Sequence, residues 1–290
     1  MDLNTQVARK SARSEDRKRL LKQLLRERGL VSEAIPRADR GADLPLSFAQ
    51  QRLWFLERLN PGQSVYNIPL LLRLQGPVDE AALQSSLNEV IRRHEALRTR
   101  FEERNGEPRQ CIEKALTIAL DKIDVRSGAP DERFARARVI AERLALEPFD
   151  LARAPLLRAV LIRFEDDEAI LGLIMHHMIG DGWSIGVLLR ELAVLYPAHA
   201  DGRKAQLPAL ALQYADFACW QRGWLKDAVL GEQLRYWKQH LPTPLPVLEL
   251  PTDFARPPRP SYRGARAALD LKPERVDALR ALARSESCTR

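Results

Sequence analysis

The chain has 290 residues, enough for one large domain or two smaller ones with a sizeable core. Its net charge is +7, but the arginines alternate with acidic residues, a pattern that argues against nucleic-acid binding. No apolar run approaches the roughly 20 residues that span a bilayer, and the N-terminus lacks an apolar signal core. We therefore expect a cytoplasmic protein with no membrane partner.

The cysteines are few and widely separated. Cys111, Cys219 and Cys288 form no C-x-x-C pair. Neither a disulfide framework nor a zinc site is predicted from this spacing, and we expect reduced thiols.

The first 43 residues are predicted to be separate from the rest of the chain. Residues 16–27 carry leucines at helical spacing and predict a short amphipathic helix. Residues 35–43, which include Pro36 and Gly41, predict a linker. Two interpretations of the helix remain open: packing on the main domain, or contact with an upstream polypeptide.

From Leu44 onward, strand-like and helix-like segments alternate. In chain order we expect a helix over 49–59, a strand over 68–74, a helix capped by Asp79, an extended segment over 97–102 and a helix over 131–146.

Apolar segments at 156–164 and 169–175 flank four acidic residues and predict a β-hairpin. A glycine-flanked aspartate and a helix over 183–196 come next, giving a local order of strand, loop and helix. This mixture favours an α/β (α+β layered) fold over a helix bundle or a β-sandwich.

The most informative stretch is HHMIGDG at residues 176–182, at the end of the second hairpin strand. If the strand includes both histidines, His176 and His177 point to opposite faces, one into a cleft and one into the interior. Adjacent histidines without a nearby Cys or Glu are poor metal ligands, so no metal site is predicted.

A histidine at a strand end is suited to general-base catalysis. Asp181, four residues after His177, could orient an imidazole or pair with an arginine, and its flanking glycines permit unusual backbone angles. From the residues alone, a second interpretation stands beside this one: a core histidine followed by an Asp-Gly turn and a helix capped at Ser184.

Five segments, in order, resemble the nonribosomal peptide synthetase condensation domains of the chloramphenicol acetyltransferase-like superfamily. The segments are LSFAQQRLWFL at 46–56, RHEALRTRF at 93–101, PFDL with PLLR between 148 and 158, HHMIGDG at 176–182, which fits the HHxxxDG signature, and YADFACWQ at 214–221. The resemblance covers nearly the whole chain from Leu44 onward.

The resemblance implies two acetyltransferase-like lobes, each with a mixed sheet and flanking helices, and a tunnel between them. There a donor acyl or peptidyl thioester would meet the amine of an acceptor aminoacyl thioester. Both substrates would arrive on phosphopantetheine arms of peptidyl carrier proteins, with no cofactor bound by the domain itself. Adjacent synthetase modules are further implied partners.

The resemblance also assigns roles to residues. His177 would act on the attacking amine as a base or as a positioning hydrogen-bond partner. His176 and Asp181 would support the site, with Asp181 paired to Arg98, or to Arg93 in reserve. Gly182 would keep the loop open beside the thioester.

On this resemblance, residues 44–225 would be the N-terminal lobe and residues 226–290 the beginning of a truncated C-terminal lobe. A missing lobe would remove one tunnel wall, which leaves the activity of this chain alone open. Two other hypotheses also stay open: a free-standing acyl-CoA-dependent acyltransferase, and a non-catalytic module that docks carrier proteins.

Overall fold

The computed structural model describes residues 34–255, 257–258, 262, 264–265 and 267–288. The chain divides into two compact units, one that ends at Thr243 and one that begins at Pro244. The helix expected over residues 16–27 lies outside the described residues. The predicted domain boundaries, including the one at 225, stay predictions.

A mixed four-stranded sheet carries the candidate site. Its strands are β2 (Asn67–Gln75), β5 (Leu120–Asp124), β6 (Leu157–Arg163) and β7 (Glu168–His176), in the spatial order β2-β7-β6-β5. Strands β6 and β7 form the expected antiparallel hairpin, and β5 is parallel to β6. Strand β7 is central and almost wholly buried, which explains its nearly continuous run of apolar residues.

A second sheet has three antiparallel strands in the order β1-β4-β3. They are β1 (Leu44–Pro45), β3 (Thr99–Arg104) and β4 (Glu107–Ile112). The predicted linker before β1 is irregular, as expected, but it is anchored: Arg40 lies 2.8 Å from Glu95 and 2.7 Å from Asp216.

Among the described residues of the first unit, five helices surround the sheets. They are α1 (Phe48–Leu59), α2 (Glu80–Arg93), α3 (Pro130–Ala145), α4 (Gly182–Ala200) and α5 (Tyr214–Trp224). A further helix of this unit, α6 (Asp227–His240), has no buried residue. Helices α2 and α4 contribute Leu87, Ile91 and Leu188 to the core that covers the four-stranded sheet.

The second unit contains helix α7 (Pro273–Ser285), which begins with a proline in its first turn. In the part of the chain that the structure describes, no helix is long and apolar enough to cross a membrane.

The α/β class with a mixed sheet and flanking helices is confirmed, and so are most of the expected elements. Asp79 caps α2 by accepting a hydrogen bond from Ala82 N at 2.9 Å. One expectation is partly wrong: Leu97 and Arg98 belong to a 3₁₀ turn (Glu95–Arg98), and the extended segment starts only at Thr99.

Candidate functional site

The two histidines of the HHxxxDG motif have opposite environments. Strand β7 ends at His176, whose side chain is buried between the rings of Tyr66 and Phe149. His177 comes next, in the turn, and is exposed. The expected division between an interior and a cleft-facing histidine therefore holds, although the strand stops at the first of them.

His176 is held as a neutral ring. Its Nδ1 accepts a hydrogen bond from Met178 N at 3.2 Å, so that nitrogen carries no proton. Burial, together with the charge of neighbouring His177, lowers the pKa of His176 to about 4. The hydrogen bond ties the ring of His176 to the motif turn, and its role in supporting the site stays a prediction.

His177 is held through its backbone, and its ring forms no hydrogen bond with the residues that the structure describes. Its N–H donates to Tyr66 O at 2.8 Å, which continues the pairing of β2 and β7 by one residue. The side chain lines a cavity of about 240 Å³, whose wall comprises Ala49, Gln50, Arg52, Leu53, Tyr66, residues 177–181, Ser184 and Tyr214. An exposed imidazole beside a cavity can accept a proton from a bound amine.

Gln50 secures the turn that carries His177, and Ser47 links Gln50 to Tyr214. The buried Gln50 donates from Nε2 to Met178 O at 3.1 Å and accepts at Oε1 from Ser47 N at 3.0 Å. The hydroxyl groups of Ser47 and Tyr214 lie 2.8 Å apart. Gln50 lies in the LSFAQQRLWFL segment and Tyr214 in the YADFACWQ segment. Our sequence analysis assigned neither residue a role, because membership of these segments was the only indication that the sequence offered.

Asp181 is the N-cap of helix α4. Its Oδ1 accepts hydrogen bonds from Ser184 N at 2.9 Å and Ser184 Oγ at 2.7 Å. These bonds, with the nearby charge of His177, lower the pKa of the Asp181 carboxyl. The cap is therefore Asp181 itself, and a helix capped at Ser184 is wrong.

The expected ion pair of Asp181 with Arg98 is also wrong. Arg98 donates from Nε to Ile91 O at 3.1 Å and from Nη1 to Glu113 O, so backbone carbonyl groups occupy its guanidinium. Arg93, the reserve, instead forms a bidentate contact with Glu191 at 3.0 and 3.1 Å. No arginine of the described residues lies within ion-pair distance of Asp181. A support role for Arg98 and Arg93 in the site stays a prediction.

We expect Asp181→Ala to lower the free energy of unfolding by about 1 kcal/mol, because helix α4 loses its cap. Asp181→Asn should be close to wild type, since an asparagine Oδ1 caps equally well. Urea unfolding of both variants measures the difference. Equal losses in the two variants would contradict a capping role and indicate that the charge itself is required.

The expectation that the two loop glycines provide unusual backbone angles is wrong. Neither Gly180 nor Gly182 adopts a positive φ, so unusual backbone angles do not explain them. A Cβ on Gly180 would lie 2.8 Å from the sulfur of buried Met175, whereas one on Gly182 would meet nothing within 4 Å. The role of Gly182 beside a thioester stays a prediction.

Gly180→Ala should therefore destabilise the protein by about 1–3 kcal/mol through overpacking against Met175. Gly182→Ala, which places its methyl in open space, should cost less than about 0.5 kcal/mol. Thermal or urea unfolding of the matched pair checks the prediction, which fails if the two variants are equally stable.

Comparison with known proteins identifies relatives of this chain. The condensation domain family model matches residues 41–290. A component of linear gramicidin synthase from Brevibacillus parabrevis is 44% identical over 259 residues, which cover 89% of this chain and 5% of that protein. Phosphinothricin tripeptide synthetase PhsC of Streptomyces viridochromogenes is 43% identical over 291 residues, covering 99% of this chain and 26% of that protein. The chain thus spans 5% and 26% of the lengths of these two relatives.

Solved structures agree with the fold. The X-domain from teicoplanin biosynthesis superposes with a TM-score of 0.75 at 31% identity, over 89% of this chain and 56% of that chain. The starter condensation domain of rhizomide synthetase RzmA superposes with a TM-score of 0.62 over 69% of this chain and 48% of that chain, and its 22% identity supports the fold alone. With its family match, its fold and an intact HHxxxDG turn, the chain belongs to the condensation domain family.

Proposed function

We propose that this chain forms an amide bond between two thioester substrates held on the phosphopantetheine arms of carrier proteins. The observation that supports this function is the exposed His177 imidazole on the wall of a cavity, within the HHxxxDG turn of a condensation domain. The named relatives belong to peptide synthetases, which fits a peptide-bond-forming reaction.

The step transfers an acyl group from sulfur to nitrogen. The acceptor amine attacks the carbonyl carbon of the donor thioester, the new C–N bond forms and the C–S bond breaks. His177 takes a proton from the amine or holds that amine by a hydrogen bond, and the departing thiolate receives a proton. The acyl or peptidyl group ends on the acceptor carrier, one residue longer.

The partners follow from that chemistry. Donor and acceptor peptidyl carrier proteins would deliver the substrates, and adjacent synthetase modules would supply those carriers. We place the reaction in the cytoplasm and assign the domain no cofactor of its own.

A single-turnover assay that varies the acyl source tests the proposal. The chain is mixed with an aminoacyl acceptor carrier and either an acyl donor carrier or the same acyl group on coenzyme A. Amide product from the carrier-bound donor supports the proposal. Product only from acyl-CoA would instead establish the acyl-CoA-dependent acyltransferase.

A second candidate function is docking without catalysis. It is favoured by the likeness to the teicoplanin X-domain, which has been solved in complex with OxyB. Binding of loaded carriers without amide product from either acyl source would support docking and overturn the catalytic proposal.

A further inference from the structure

A second cavity adjoins the one that contains His177. It has a volume of about 420 Å³, within the usual range for small-molecule pockets. Ile179, Ser184 and Tyr214 line both cavities, so the two share a wall formed by the motif turn, the start of α4 and the start of α5. A group at His177 is therefore next to this second cavity.

The wall of the second cavity is mostly apolar. Leu97, Met175, Val187, Leu188 and Leu212 contribute aliphatic or thioether surface. Leu97, Met175 and Leu188 are buried residues of the core, so the inner part of the wall is fixed. Such a surface favours an apolar ligand because it removes apolar area from water.

Three polar side chains on this wall already have hydrogen-bond partners within the protein. Ser184 Oγ donates to Asp181, Gln213 bonds Arg93 O and Glu95 N, and the Tyr214 hydroxyl group lies 2.8 Å from Ser47 Oγ. His94 differs, because its buried Nε2 lies 3.0 Å from Glu191 Oε2 but forms no hydrogen bond with the described residues. Away from His94 and the exposed Trp183, a polar or charged ligand group would lose water here without an obvious replacement, which is costly.

We propose that this second cavity binds the apolar side chain of an aminoacyl substrate whose reacting group lies at His177. The inference rests on the proposed function and names its substrate class: residues with aliphatic or aromatic side chains, in preference to glycine or charged residues. The donor residue and the acceptor residue are both possible sources of this side chain.

Binding of stable substrate analogues tests the proposal without turnover. Leucyl, glycyl and lysyl pantetheine amides are titrated into the chain by calorimetry. We expect the leucyl probe to bind at least about 10-fold more tightly than the other two, the scale of discrimination that an apolar pocket provides. Equal affinities for all three probes would overturn the proposal.

Two variants locate the binding site. Val187→Phe fills the cavity and should bring the leucyl affinity down to that of the glycyl probe. Val194→Phe, on the same helix but exposed and outside the cavity, should leave the preference unchanged. Because Val187→Phe could fail to fold, Leu212→Ser at a 41% exposed position of the wall gives a second test. A preserved leucyl preference in both wall variants would contradict the proposal.

A further comparison separates this inference from the proposed function. His177→Ala should retain the leucyl preference, since His177 does not line the second cavity. A leucyl preference in a chain that forms no amide would leave the side-chain site standing while the catalytic proposal fails. The condensation assay is run in two versions, with leucine on the donor carrier or on the acceptor carrier. The version that Val187→Phe slows shows which of the two residues places its side chain in the second cavity. If Val187→Phe slows amide formation in neither version of the assay, the result counts against the proposal.

Discussion

Replacing His177 with alanine should reduce the single-turnover rate of amide formation by about 100- to 10,000-fold. The reason is chemical, because His177 carries the one imidazole among the described residues that line this cavity. The free energy of unfolding should change by less than about 0.5 kcal/mol, since the side chain is exposed. The hydrogen bond from residue 177 N to Tyr66 O survives the change.

A matched control and a rescue sharpen this prediction. His240→Ala alters an exposed histidine on α6, outside the cavity, and should leave the rate unchanged. Added imidazole should restore part of the activity of His177→Ala, because the cavity opens to solvent. A His177→Ala variant as fast as His240→Ala would contradict a catalytic role for His177.

The second large effect concerns stability in acid. Since the folded state holds His176 at a pKa of about 4 and an unfolded histidine titrates near 6.5, only the unfolded chain gains this proton between those values. The contribution of His176 is therefore complete above pH 6.5 and is lost as the pH falls toward 4. The loss is on the order of 3 kcal/mol for this shift.

His176→Asn removes the titration while its Oδ1 can still accept from Met178 N. Urea unfolding at several pH values between 7 and 4 should show a shallower loss of stability for this variant than for wild type. His240→Asn serves as the control and should keep the wild-type slope, because that histidine is exposed. Identical slopes in all three proteins would contradict a buried neutral His176.

The sequence could predict the elements whose pattern is local. The β6-β7 hairpin is visible as two apolar runs around an acidic turn, and helix α2 as leucines at helical spacing after a capping aspartate. Strands β4 and β5 were not predicted. Strand β5, LDKID, does not alternate cleanly, and its partner β6 lies more than 30 residues further along the chain. Strand β4, EPRQCI, does not alternate cleanly either, but it forms a hairpin with β3 across Asn105-Gly106, a local turn signal that our sequence analysis did not use.

In the site, too, the sequence could predict the features that are local along the chain. The motif located His176, His177 and Asp181 on one turn, because that turn is continuous in sequence. The partner of Asp181 was not predictable, because it depends on which groups come near in three dimensions. The Asp181 carboxylate accepts a hydrogen bond from Ser184, three residues further along the chain. The Arg98 guanidinium instead donates to the backbone carbonyl groups of Ile91 and Glu113.

The most direct test of the central claim is the intact mass of both carrier proteins after one turnover with the wild-type chain. Our account predicts that the donor carrier loses its acyl group and that the acceptor carrier gains that mass as an amide. A donor carrier that stays loaded, or that loses its acyl group to water while the acceptor mass is unchanged, would contradict the account.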